Sequence, residues 1–233
     1  MIKAEYYAMT ESDEKLATEN LAMMQGQMSK AAKIAQRKVE DVRLIAISKT
    51  RSADEIRPLL EAGHRLFGEN RVQEAAGKWP ALRDAFDGVK VHLVGQLQSN
   101  KAEDAVELFD AIHSLDRPSL IKALAKAMDK LDRRIPCFVQ VNIGEEPQKG
   151  GCEISDLSDL LRSARSAGIE VPGLMCVPPS GVHPAPYFAL LAKLAKENDL
   201  SGLSMGMSGD FESAIKLGAT HVRVGTALFG PRT

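Results

Sequence analysis

The chain has 233 residues, with 30 basic against 31 acidic side chains, a formal charge of -1 and a sequence pI of about 6.5. Apolar residues make up 44% and charged ones 26%, a composition that supports a real core and excludes a disordered chain. The even charge balance offers no basic excess to neutralise phosphates, so a nucleic-acid partner is not expected. No run approaches the roughly 20 apolar residues that span a bilayer, and residues 1–9 mix charge with apolar side chains instead of forming a leader. The three cysteines, Cys137, Cys152 and Cys176, are scattered, without a C-x-x-C pair. Neither a disulfide framework nor structural zinc is expected, and the cytoplasm is the expected compartment.

In chain order, a long helical segment over 11–39 comes first. From residue 41 onward, short apolar or β-branched runs alternate with helix-like stretches. The strand candidates are 42–47, 65–67, 91–94, 111–115, 137–141, 173–177, 203–205 and 221–224. Between them, segments such as 119–128 repeat apolar residues every three or four positions. Gly63, Gly168 and Gly218 each stand where a helix closes through a left-handed residue before the next strand. Eight β-then-α units predict an α/β fold, a single (β/α)8 TIM barrel over 1–233, with an open doubly wound sheet as the competitor. The helix over 11–39 is expected to take the place of the missing eighth helix and cover the barrel over 42–230.

In such a barrel, functional residues follow the C-terminal ends of the strands. Lys49 follows the first strand; it reads either as a solvated lysine or as a Schiff-base lysine whose free amine is exposed by a desolvating site. Two small-residue loops follow strands seven and eight, one with Gly206, Met207, Ser208 and Gly209, the other with Gly225 and Thr226. They read as a phosphate cradle of backbone N–H groups and a hydroxyl, or as ordinary tight turns with Ser208 capping a helix. Arg223 alternates against Val222 and Val224 and so points into the barrel. A buried arginine needs an anion or a structural partner such as Glu69. Further polar rim residues are Glu69 and Asn70 after the second strand, the run 96–101 and Asn142; for Ser99, Asn100 and Asn142 helix capping is the default. The histidines form no triad or metal cluster visible in the sequence, with His92 and His113 in strands and His183 and His221 in or beside loops. No metal ligand set, Walker A motif or strand-following G-x-G-x-x-G is present.

Seven segments in order, LIAISKT at 44–50, FGENRVQE at 67–74, HLVGQLQSNK at 92–101, VQVNI at 139–143, GLM at 173–175, LSMGMS at 203–208 and VRVGTALFG at 222–230, resemble the pyridoxal phosphate homeostasis proteins. These are similar to the N-terminal barrel of alanine racemase. The resemblance implies that Lys49 is the lysine that forms the aldimine with pyridoxal 5'-phosphate (PLP). It implies that Ser208, Gly225 and Thr226 hold the phosphate, with Met207 beside them, that Arg223 faces the pyridine nitrogen and that Asn70 lies near the cofactor. Gln96 and Gly209 depart from the family's frequent residues, at positions that anchor no cofactor atom. The resemblance also implies a non-catalytic carrier, a monomer or weak homodimer that buffers PLP or delivers it to apo PLP-dependent enzymes. The alternative is a PLP-dependent amino-acid racemase or another Schiff-base enzyme such as an aldolase. Alanine racemase takes a catalytic tyrosine from a second, β-rich domain, for which this length leaves no room, and the tyrosines here are only Tyr6, Tyr7 and Tyr187.

Overall fold

The computed structural model describes residues 11–230; the stretch 1–9, read above for a leader, is outside the described residues. Eight parallel strands close into a barrel in sequence order: β1 (Arg43–Ile47), β2 (Leu66–Glu69), β3 (Lys90–Leu93), β4 (Ala111–Leu115), β5 (Cys137–Gln140), β6 (Gly173–Met175), β7 (Gly202–Ser204) and β8 (His221–Val224). The competing open sheet is excluded by the closing pair, in which Leu44 lies beside Val222 and Ala46 beside Val224. Helices α1 (Glu11–Ile34), α2 (Ala53–Glu61), α3 (Val72–Ala76), α4 (Trp79–Ala85), α5 (Ala102–Leu108), α6 (Pro118–Leu131), α7 (Leu157–Ser166), α8 (Ala185–Glu197), α9 (Phe211–Lys216) and α10 (Thr226–Phe229) surround it.

Local sequence explains these elements. A capping box starts α2: Ser52 Oγ accepts from the Glu55 N–H while the Glu55 carboxylate accepts from the Ser52 N–H. Leu120, Ile121, Leu124, Ala127 and Met128 give α6 the apolar stripe that it buries on the barrel. Gly63, Gly168 and Gly218 all have positive φ, as their helix-ending positions require.

The first helix does occupy the vacant place. Among the described residues only the single turn of α10 follows β8, and α1 packs against α9, α10 and α2. It buries Ala17, Leu21, Met24, Met28 and Ala31, spaced by four and three residues along one face. Two polar ties fix it: Asn20 Nδ2 donates to Leu228 O at 3.1 Å, and Arg37, just beyond its end, donates to Ile215 O and Ala219 O, each at 2.9 Å.

The second strand runs past the C-terminal end of its expected range. The β2 ladder continues through Gly68 and Glu69, which pair with His92 and Leu93. Gly68, just past the expected range of 65–67, is needed inside the barrel, where a Cβ would lie 2.6 Å from Ile47 Cδ1 and 2.7 Å from Ile45 Cγ2. Glu69 is therefore a buried strand residue and not part of the rim.

Candidate functional site

The turn that carries Lys49 is held from below. Ser48 to Arg51 form a four-residue turn closed by the Arg51 N–H to Ser48 O at 3.1 Å, with Thr50 at φ 65°. A β-branched residue in the left-handed region is strained and persists only where its surroundings enforce it. The enforcing groups are Glu74, whose carboxylate accepts from the Thr50 N–H, and Lys78, whose Nζ donates to Ser48 O at 2.9 Å and Arg51 O at 3.0 Å. Lys78 is itself buried and paired with Glu69 at 2.9 Å and Glu74 at 3.1 Å. Glu69 also accepts from Ser48 Oγ and from Trp79 Nε1. Burial raises the Glu69 carboxyl above its ordinary value, opposed chiefly by the Lys78 charge.

All seven residues singled out for the cofactor, Lys49, Asn70, Met207, Ser208, Arg223, Gly225 and Thr226, line one cavity of about 430 Å³ at the C-terminal mouth of the barrel. Ile47, Val94, Val177 and Phe229 supply apolar wall. Ser208, Gly209, Gly225 and Thr226 meet there, and the amides of the three that lie outside helices and strands, Ser208, Gly209 and Gly225, donate to no backbone carbonyl among the described residues. Unspent N–H groups of this kind suit a phosphate. Close backbone packing sets the loop's path: Gly206, at φ 94°, leaves no room for a Cβ, which would meet Ala214 Cβ at 2.6 Å. Gly95 likewise lies against the backbone of Asn70, where a Cβ would be 2.3 Å from Asn70 O.

Arg223 projects inward as the strand parity predicts, and of its two readings the pair with Glu69 is not the one formed. Glu69 is committed to Lys78, Ser48 and Trp79, while Arg223 Nη1 donates to Ser204 Oγ and Nη2 to Cys176 O, each at 2.8 Å. The guanidinium is buried against neutral acceptors, and burial draws its pKa below the ordinary arginine value. Such a cation in a cavity favours an anionic ligand.

Other rim candidates serve structure. Gln96 Nε2 donates to Gln140 Oε1 at 2.7 Å, and Asn142 exchanges hydrogen bonds with the backbone of Glu146. Ser99, Asn100 and Ser208 cap no helix by side chain: Gln98 precedes the short 3₁₀ turn Ser99–Lys101, and Asp210 precedes α9, accepting from the Met207 N–H at 2.6 Å. The cysteines are free and buried, each thiol pushed up to about 12 by desolvation.

Sequence reasoning missed two features. Lys78 was visible only as a Glu74–Lys78 i,i+4 pair, an ordinary surface signature. The strand histidines, which show no cluster in the sequence, converge in the barrel interior: His92, His113 and His221 have ring centroids 5.0 to 6.2 Å apart, and Phe138 stacks on His113 at 4.3 Å.

Comparison with known proteins agrees with this architecture. The model of the alanine racemase N-terminal domain matches residues 21–233. The pyridoxal phosphate homeostasis protein of Aquifex aeolicus is 38% identical over 226 residues, covering 93% of this chain and 98% of that one. The Synechococcus elongatus protein PipY, solved with PLP bound, superposes with a TM-score of 0.80 at 38% identity, covering 92% of this chain and 100% of that one. A Clostridium difficile alanine racemase shares the fold alone, with a TM-score of 0.70 at 13% identity; this chain covers 57% of its length. Among the described residues, no helix is long and apolar enough to cross a membrane. With its closed barrel, a lysine at the end of the first strand and amide-rich loops after the last two, the chain belongs to the pyridoxal phosphate homeostasis family, built on the N-terminal barrel of alanine racemase.

Proposed function

We propose that this protein holds PLP reversibly through Lys49 and takes part in PLP homeostasis by buffering the cofactor or delivering it to apo-enzymes. The observation that carries this reading is the single cavity in which an amine, a set of unspent amides and a buried cation meet. Their chemistry fits PLP. The Lys49 amine condenses with the aldehyde, releasing water; the Ser208 and Thr226 hydroxyls and the loop amides bind the phosphate; Arg223 donates to the pyridine nitrogen. PLP supplies an aldehyde and a conjugated electron sink.

Two features favour holding over turnover. Arginine does not give up its proton, so the ring nitrogen that accepts from it stays unprotonated and the sink is weak. Moving a proton between the two faces of an α-carbon also needs an acid–base group on each face. Among the described residues lining the cavity, Lys49 is the one side chain that exchanges a proton readily, since the other two cations, Arg51 and Arg223, do not.

The test is the absorption spectrum of the purified protein with and without added PLP. A visible band that borohydride fixes onto Lys49, and that K49A lacks, is the expected result. A protein that stays colourless in excess PLP refutes the reading. Transfer of PLP to an apo-enzyme, set beside amino-acid racemisation, then separates carrier from enzyme; turnover of about 1 s⁻¹ or more places the protein among ordinary enzymes and overturns the carrier role.

A further inference from the structure

Arg223 is the first member of a polar chain that crosses the barrel interior. Its Nη1 donates to Ser204 Oγ at 2.8 Å; Ser204 Oγ lies 2.8 Å from His113 Nδ1; His113 Nε2 lies 3.0 Å from His92 Nδ1. His92 lines a separate cavity of about 910 Å³ at the opposite mouth, among the N-terminal ends of the strands. Ser204 and His113 are wholly buried, and His92 is nearly so.

The chemistry of the members fixes which way the protons point. A guanidinium has only donors, so Ser204 Oγ must accept from Arg223. If His113 carried its proton on Nδ1, Ser204 would accept twice and its own hydroxyl hydrogen would have no acceptor in a buried site, a costly arrangement. In the opposite order every member is satisfied. Ser204 donates to His113 Nδ1, His113 Nε2–H donates to His92 Nδ1, and His92 Nε2–H is left for the solvent of the far mouth. Each acceptor lone pair then faces back toward the guanidinium, and bonds so aligned reinforce one another.

We propose that His113 and His92 are positioning residues for the cofactor site, fixing the Arg223 guanidinium through Ser204 by a hydrogen-bond chain of one polarity. This rests on the reading that the cavity holds PLP with Arg223 at the ring nitrogen, and it reaches residues on the far side of the barrel that touch no cofactor.

The experiment has two arms. In the apo protein labelled with ¹⁵N-histidine, long-range proton–nitrogen correlations at pH 7.5 report the tautomers: His113 and His92 are both expected as Nε2–H, and S204A releases His113 from that single form. A native His113 in the Nδ1–H form overturns the proposal. In the second arm PLP is titrated into H113L and H113N. Losing the acceptor in H113L is expected to weaken PLP binding about tenfold and to shift the visible band, whereas the Oδ1 of H113N takes the place of Nδ1 and restores both. Native-like binding by H113L, or equal losses in the two variants, overturns the positioning role. If H113L does not fold, the tautomer pair and H113N decide. Native protein that takes up no PLP refutes the cofactor reading alone, and the tautomers still test the chain.

Discussion

Acid tests the buried histidines directly. Desolvation pulls His92 down to about 4, with the Arg43 and Lys90 charges adding to the shift and Asp110 opposing it, and pulls His221 down to about 3, with His92, Arg43 and Arg223 adding. An unfolded imidazole binds its proton near 6.5. Between about 6.5 and 4 the unfolded chain therefore carries protons that the native protein refuses, and stability falls as pH falls. Above the unfolded value nothing is lost. For His92 alone the gap is worth about 3 kcal/mol when complete, of which roughly 2 kcal/mol disappears between pH 7 and pH 5. His113 and His221, also held down by burial, add to the loss, so the measurement is a comparison. Urea unfolding of native protein and H92N, followed by circular dichroism at pH 7, 6 and 5, isolates one imidazole, because the asparagine keeps an acceptor for His113 without titrating. H92N is expected to lose about 2 kcal/mol less than the native protein over that range. Parallel pH profiles refute the assignment of His92 as a buried neutral group.

Two further substitutions probe the scaffold of the site. Replacing Lys78 by Met leaves the buried Glu69 carboxylate without its cation and unties the Lys49 turn; it is expected to cost about 3 kcal/mol in urea unfolding, with part recovered in K78M/E69Q and slower trapping of PLP by borohydride. G95A puts a Cβ 2.3 Å from Asn70 O, so the backbone must move, at a cost of about 1–3 kcal/mol. PLP affinity should fall with it although Gly95 does not line the cavity, and unchanged affinity argues against Asn70 as a cofactor neighbour.

The barrel was legible because its signals are local. Each strand is a short apolar run and each return helix carries its own periodicity, so counting eight such units pointed to a barrel, and the β1–β8 pair then excluded the open sheet. The convergence of the candidate residues on one cavity was legible for the same reason: Lys49, Ser208 and Thr226 stand in the loops after β1, β7 and β8, and parity alone turns Arg223 inward. Partnerships were not legible. Ser204 and His113 are 91 residues apart in sequence and 2.8 Å apart in space, brought together only by barrel closure and strand stagger. The Glu69–Arg223 pair failed on the same ground. Both residues face polar partners in the interior, but Ser48 beside Glu69, and Lys78 and Trp79 from the following segment, meet the carboxylate first.

The absence of that pair, one of the two readings open for Arg223, bears on what the site is built to hold. Paired with Glu69, Arg223 would be neutralised and the cavity would have little pull on an anion. Held instead by a hydroxyl and a carbonyl, it keeps its charge in a poorly screened place, a cost to the empty protein that a bound anion offsets. Affinity and stability should then move in opposite directions at this position. R223Q is expected to leave the apo protein within about 1 kcal/mol of native stability or above it, since the amide can still donate to one of the two acceptors, while PLP binding weakens by about tenfold or more. Thermal unfolding of the apo forms and PLP titration measure the two sides separately. An R223Q protein destabilised by several kcal/mol without PLP would show that the arginine serves the fold, and the view of it as a charge reserved for a ligand would fall.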